Sequence, residues 1–310
     1  MFDAGEHPHP SGRQFEIRFQ EQAVTVVEVG GGLRAYTAAG ADVLDGYALD
    51  EPCSGGRGQL LLPWPNRIED GTYRFAGAEQ RLPLTEPERG NAIHGLGHWS
   101  SWSATDHGPA AVTMRLRLFP QPGYPFLLDL ETSYSLDEAG LTVRMAAANR
   151  GDEACPFGAG AHPYLTAGEA PIDGCRIGIP AAARLTADGR GIPAGRQPVN
   201  GTVWDFRDLR PIGDLALDTA FTDLATGADG TTHVELASPA TGRTVTLWAE
   251  AAAFPYLMVF SGDTLAPERR RQGLAVEPMT CPPNAFRSGE SLIVLEPGQA
   301  WSGAWGIAPG

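Results

Sequence analysis

Apolar and polar residues alternate with a period of two through much of the chain. Val112, Met114, Leu116 and Leu118 interleave with Thr113, Arg115 and Arg117, the pattern of a strand with one buried and one wet face. The same period runs through Gln14 to Phe19, Ala23 to Val29, Thr72 to Phe75 and Phe126 to Leu136. Leu141 to Ala147 follows Phe126 to Leu136 across Asp137-Glu138-Ala139-Gly140, which predicts an antiparallel hairpin closed by turn-forming residues. Further strands are predicted at Arg176 to Ile179, His233 to Ala237, Thr244 to Ala249, Tyr256 to Phe260, Leu274 to Glu277 and Leu292 to Leu295. Long polar connections lie between them at Asp45 to Gly58, Arg81 to His98 and Ala181 to Asp214, and connections of this length often carry function.

Long stretches of helical apolar spacing are missing, and 39 Gly with 26 Pro suit a turn-rich β chain, which excludes a helix bundle. With 42% hydrophobic and 19% charged residues the chain can bury a large core. No linker, composition shift or fixed-period repeat divides it. The organisation read from this is a flexible tail over residues 1–12 and a single domain over residues 13–310. That domain is all-β, an antiparallel β-sandwich of about twenty strands, too many for one open sheet.

Charge narrows the function. The 37 acidic and 23 basic residues give a net charge of -14, which disfavours nucleic acid and anionic membrane surfaces as partners. Every basic residue is Arg, so lysine Schiff bases, pyridoxal attachment and the P-loop lysine are excluded. Cys53, Cys155, Cys175 and Cys281 form no C-x-x-C pair and read as reduced thiols of a cytoplasmic protein, with two disulfides left open. Met1 to Gly12 lacks an apolar signal core and no stretch is long enough to span a bilayer. Asn200-Gly201-Thr202 fits a glycosylation acceptor and reads as a surface turn.

Nucleophile-elbow, zinc-helix and dinucleotide signatures are absent, leaving histidines and carboxylates to carry chemistry. His94 lies in Asn91-Ala92-Ile93-His94-Gly95-Leu96, where Gly95 allows a close approach by another group, a sugar or metal among the options. His98 follows four residues later, but the glycines between them break the helix that would align a metal-binding pair. His162 sits in Gly158-Ala159-Gly160-Ala161-His162-Pro163-Tyr164, and Glu277 interrupts the apolar run Leu274 to Met279. A carboxylate in a buried strand needs a task or a partner, a structural ion pair being the plain alternative. Arg67, after the rigid Pro63-Trp64-Pro65-Asn66, and Asp218, within Leu217-Asp218-Thr219, serve equally as ligand groups or turn caps. Trp64, Trp99 and Trp102 lie close to these segments in sequence and suit stacking on a sugar face as well as a place in the core.

Taken in order, Asn66-Arg67-Ile68, Gly71-Thr72-Tyr73-Arg74-Phe75-Ala76-Gly77, Asn91-Ala92-Ile93-His94-Gly95-Leu96, His162-Pro163-Tyr164, Leu217-Asp218 and Glu277-Pro278-Met279-Thr280 resemble the aldose 1-epimerase, or galactose mutarotase, family. The resemblance runs from about Gly12 to Trp305-Gly306-Ile307. It implies a large β-sandwich that interconverts the α and β anomers of free aldoses without metal or organic cofactor. It also implies His162 as general acid, Glu277 as general base, and Arg67, His94 and Asp218 as sugar-binding groups. His98-Trp99 departs from relatives that place Arg or another polar residue before the Trp, and Leu62-Pro63-Trp64-Pro65 is similar to one bacterial subgroup.

Anomerisation needs a proton taken from O1 and one given to the ring oxygen, work within reach of a carboxylate and an imidazole. Since O1 and O5 are about 2.3 Å apart, the expected separation of the two catalysts across an open pocket is about 4 to 8 Å. The partner is a small aldose of the galactose or glucose type, and oligomeric state is not legible. Rival readings are a noncatalytic carbohydrate-binding sandwich, a cupin-like metal enzyme using His94, His162 and Glu277, and an epimerase of phosphorylated or sulfonated hexoses.

Overall fold

A computed structural model describes residues 9–168 and 170–310. The first eight positions of the predicted tail lie outside the described residues; Ser11, toward its end, is buried and accepts a hydrogen bond from the Val29 amide at 3.0 Å.

Two antiparallel sheets dominate. Nine strands pair in the order Ser103–His107, Ala111–Leu118, Leu128–Asp137, Gly140–Asn149, Ala300–Pro309, Thr244–Glu250, Thr231–Ala237, Arg176–Gly178 and Arg210–Pro211. An eight-stranded sheet runs Pro193–Pro198, Ala181–Ala187, Asp218–Leu224, Tyr256–Phe260, Leu274–Met279, Gly160–Ala161 and Leu60–Leu61, with Tyr164–Leu165 also paired to Leu274–Met279. Val143, Met145, Leu247 and Ile307 of the first sheet share one apolar cluster with Phe221, Leu257, Val259, Leu274 and Val276 of the second, so the core is the space between the sheets. A four-stranded meander over residues 14–42 and three two-stranded ribbons complete the strands. Regular helix among the described residues is limited to Ala285–Ser288 and the 3₁₀ turn Ile172–Gly174.

Several predicted strands fall where the pattern placed them. Gln14–Phe19, Thr72–Phe75 and Tyr256–Phe260 match residue for residue; the predicted hairpin forms, with Asp137 and Gly140 paired within the strands so that the loop is two residues and not four. The stretch Ala181 to Asp214, read as a polar connection, instead contains the strands Ala181–Ala187 and Pro193–Pro198. Ala181, Ala183 and Leu185 are buried in alternation, but alanine is depleted in strands and carries little apolar signal. The 27 strands among the described residues exceed the about twenty expected because many are two- or three-residue pieces.

Candidate active site

The eight-stranded sheet has its core face and an opposite face, and strand parity decides which side chains occupy the latter. Leu257 and Val259 point to the core, leaving Met258 and Phe260 on the other side. Met258 lies opposite Glu277 in the register and Phe260 opposite Asp218. Glu277 and Asp218, fifty-nine residues apart, thus project from one face of three adjacent strands. That face is the floor of a cleft of about 380 Å³, lined also by Arg67, His94, His98, Trp99 and His162. All five residues implied by the resemblance meet there.

Arg67 and His94 come from the rim. Arg67–Glu69 pairs with Asn91–Ile93, and the His94 amide donates to the Asn66 carbonyl at 3.0 Å. His94 and Gly95 both have positive φ, at 65° and 77°. A side chain on Gly95 would place its Cβ 2.0 Å from the Leu62 carbonyl oxygen. The close approach read from this glycine is therefore to the protein's own backbone, which crosses here, and not to a ligand.

Arg67 is held by a group that sequence reading missed. Glu86 accepts from Arg67 Nε at 2.8 Å and from Nη2 at 2.9 Å, a bidentate pair, and takes a third hydrogen bond from Asn91 Nδ2. Gly191 packs on the same guanidinium, a Cβ there coming within 2.7 Å of Nη1. Arg67 is thus fixed at the cleft wall before it touches anything in the cleft. The signal for Glu86 is only an acidic residue in a polar loop, one of two in Leu84 to Arg89.

His162 follows Gly160–Ala161, its amide bonded to Gln59 O and its carbonyl to the Gly58 amide. Its Nε2 lies 3.2 Å from Glu277 Oε1. Among the described residues, His162 Nδ1 and Glu277 Oε2 are buried with no hydrogen-bond partner. The contact is shorter than the about 4 to 8 Å expected for two catalysts on either side of a sugar. Two buried polar groups with so few other partners compensate each other's burial by meeting. They stand side by side at one wall of the cleft, leaving the approach across the ring unsupported.

Electrostatics follow from burial. Desolvation pushes the His162 imidazole down to about 3, with the Arg57 cation adding to the effect. Burial and then the negative charge of Asp218 hold the Glu277 carboxyl well above the usual carboxylate range, with Arg67 opposing. Both shifts favour the form of the pair that carries one proton and no net charge. Burial also lowers His98, to about 4, and His94, on which the neighbouring His162 acts in the same direction.

Other expectations divide. Trp99 stands exposed at the cleft and Phe260 lines it, giving the aromatic wall. Trp64 and Trp102 do not reach it: Trp64 packs against Tyr124 and Phe286, and Trp102 is buried beneath Gly31 with its Nε1 bonded to Gly97 O. Although His94, His162 and Glu277 share the cleft, no three His, Cys, Asp or Glu side chains among the described residues are grouped to hold a metal ion. Among the described residues no disulfide joins the cysteines, and no helix is long and apolar enough to cross a membrane.

The fold is that of the GalM/aldose epimerase homologue from C. elegans, with a TM-score of 0.86 at 18% identity over 96% of this chain and 98% of that one. It is also that of the galactose 1-epimerase from Lactobacillus acidophilus NCFM, with a TM-score of 0.75 at 20% identity over 96% and 99%. The molecule is a galactose mutarotase-like β-sandwich. Residues 13–307 match the sequence pattern of aldose 1-epimerases, and the chain belongs to that family. It is 35% identical over 292 residues to the uncharacterized protein YihR of Escherichia coli (strain K12), covering 94% of this chain and 91% of the relative.

Proposed function

We propose that the protein interconverts the α and β anomers of a free hexose-type aldose by acid–base ring opening and reclosure. The observation that carries this reading is the meeting of His162 and Glu277, 3.2 Å apart, with Arg67, His94 and Asp218 in one sugar-sized cleft. Glu277 takes the O1 proton and His162 protonates O5, so the C1–O5 bond breaks to the open aldehyde. Rotation about C1–C2 presents the other carbonyl face. His162 then reclaims its proton as O5 attacks, and Glu277 returns one to O1.

The proton must reach the imidazole for this sequence to begin, and the 3.2 Å contact lets it pass from Oε1 to Nε2 without leaving the pair. The geometry also changes the approach. O1 and O5, about 2.3 Å apart, meet the two catalysts from one side. Arg67, His94 and Asp218 bind the sugar hydroxyls, with Trp99 and Phe260 against its apolar faces.

A second reading, a hexose bearing a phosphate or sulfonate, is favoured by the adjoining cleft of about 280 Å³, which shares Arg67, Arg89 and Asp218 with the first. Arg184 stands there 4.3 Å over the Trp204 ring, its Nε and Nη2 donating to the neutral Gln197 Oε1. A guanidinium bonded to a neutral amide retains its charge for an anion. An anomerisation screen over free, phosphorylated and sulfonated hexoses tests both readings. A wholly negative screen overturns the enzymatic proposal, and activity confined to the charged sugars replaces the first reading with the second.

Two further outcomes are expected. Arg67→Ala, His94→Ala and Asp218→Ala each weaken apparent sugar affinity by about 1 to 3 kcal/mol, because a desolvated hydroxyl loses its partner. Unaltered affinity in all three removes them from the binding site. The pH profile is set by the single proton of the pair. A second proton arrives only as His162 titrates, below its ordinary 6.5, and the last leaves only as Glu277 ionises, above its ordinary 4.5. The rate therefore falls in acid at a pH lower than a free histidine would give. Polarimetry across the acid and neutral range measures this, and an acidic limb at the ordinary histidine value contradicts it.

A further inference from the structure

A general-acid imidazole needs its ring held, and the usual anchor is a hydrogen bond at the second nitrogen. His162 lacks that anchor, since its buried Nδ1 has no partner among the described residues. Its ring is instead stacked on Tyr164, with centroids 5.1 Å apart and planes inclined by 16°. Arg57 also lies over the Tyr164 ring, its guanidinium carbon 4.4 Å from the ring centroid. Arg57 is buried and paired with Asp45, Nη2 donating to Oδ2 at 2.8 Å and Nε at 3.2 Å. The Tyr164 hydroxyl is tied to Gly55 O at 2.8 Å. Gly56 closes the remaining gap, since a Cβ there would lie 2.9 Å from His162 Cδ2.

We propose that Asp45, Arg57 and Tyr164 form a positioning stack for His162, in which a buried ion pair clamps the tyrosine ring and the tyrosine ring orients the imidazole. The inference rests on the acid–base reading of His162 given above. It assigns a task to a buried charge in the long 45–58 connection that the proposed reaction does not otherwise use. None of the three residues touches the substrate; all act through His162.

The stack also bears on how strong an acid His162 is. The groups facing the imidazole are Glu277 from Leu274–Met279, His94 from the loop after Asn91–Ile93, and Tyr164 with its neighbours Arg57 and Asp45. Arg67 and Asp218 act on Glu277 and not directly on the imidazole. Arg57 lies over the Tyr164 ring, and its charge opposes placing a positive charge on His162. Removing it makes the imidazolium a weaker acid, with a shift of about one pH unit upward.

The test uses the full chain and two kinds of variant. Tyr164→Leu removes the stacking surface and Tyr164→Phe keeps it. The first is expected to lower kcat by about tenfold with KM little changed, and the second to restore kcat. Arg57→Met alone leaves Asp45 with only Arg269, 3.6 Å from its Oδ1, so Asp45→Asn combined with Arg57→Met replaces the Arg57–Asp45 pair by neutral groups of similar size. In that double variant the acidic limb of kcat, and the His162 titration followed by imidazole NMR shifts, move upward by about one pH unit. An unmoved titration in the folded double variant, or an unchanged kcat in Tyr164→Leu, overturns the proposal. A wild-type protein inactive on every aldose sinks the epimerase reading alone, because the NMR titration decides the stack without any substrate.

Discussion

Glu277→Gln and His162→Asn each slow anomerisation by about 10²- to 10⁴-fold while the protein stays folded. The size of the loss comes from the reaction's need for both ends of one proton transfer, which neither an amide nor a carboxamide-for-imidazole exchange supplies. The two losses should not add. Once one member of the pair is gone the other has no proton to exchange with, so the double variant is expected to be little slower than either single one. Stability should behave differently. Burial favours the neutral form of the Glu277 carboxyl, and glutamine reproduces that form in shape and charge, so the thermal midpoint of Glu277→Gln is expected to hold or rise. Polarimetry on freshly dissolved anomers and thermal melts followed by circular dichroism measure the two effects separately. A full rate in either folded variant takes that residue out of the chemistry.

Glu86→Ala is the second large effect. It removes the bidentate partner of Arg67, a residue only 8% exposed, and leaves a largely desolvated cation whose other nearby carboxylate, Asp218, is already approached by Arg89 at 3.8 Å. Breaking a buried pair from one side costs about 3 kcal/mol of folding stability. The same change frees the guanidinium to turn toward Asp218 and away from the sugar, so KM rises with it. Glu86→Gln, which keeps two acceptors' worth of shape but only one oxygen, should fall between. Urea unfolding midpoints together with KM decide the matter. If both stay at their wild-type values, Arg67 is held by the Gly191 loop and the strand pairing, and Glu86 is incidental.

What the sequence discloses and what it hides differ in a physical way. Glu277 was legible because a charge inside an apolar strand violates the burial pattern around it, and His162 because small residues on its N-terminal side leave it room. Glu86 was hidden because an acidic residue in a polar loop violates nothing; only the fold brings it to Arg67, nineteen residues earlier. The strand Ala181–Ala187 was hidden by the weak apolar signal of its alanines. Trp64 and Trp102 misled in the opposite direction. Nearness in sequence to the cleft residues said nothing about which way each indole turns, and both turn inward. The separation of His162 and Glu277 was set too wide because the argument treated the substrate's needs and left out those of two buried groups short of other partners.

The cleft floor is made of paired strands and its rim of connections, and this divides how the protein can change over generations. Arg89, Trp99 and the Gly55-Gly56 turn are carried by loops, which accept substitution, lengthening and shortening one residue at a time. A lineage can therefore travel gradually from one sugar to another. Glu277 has no such freedom: in a ladder whose side chains alternate, one inserted residue within Leu274–Met279 would turn the carboxylate into the hydrophobic core and present an apolar neighbour to the cleft. Taste can drift in this molecule, whereas the chemistry is inherited whole or lost in a single step.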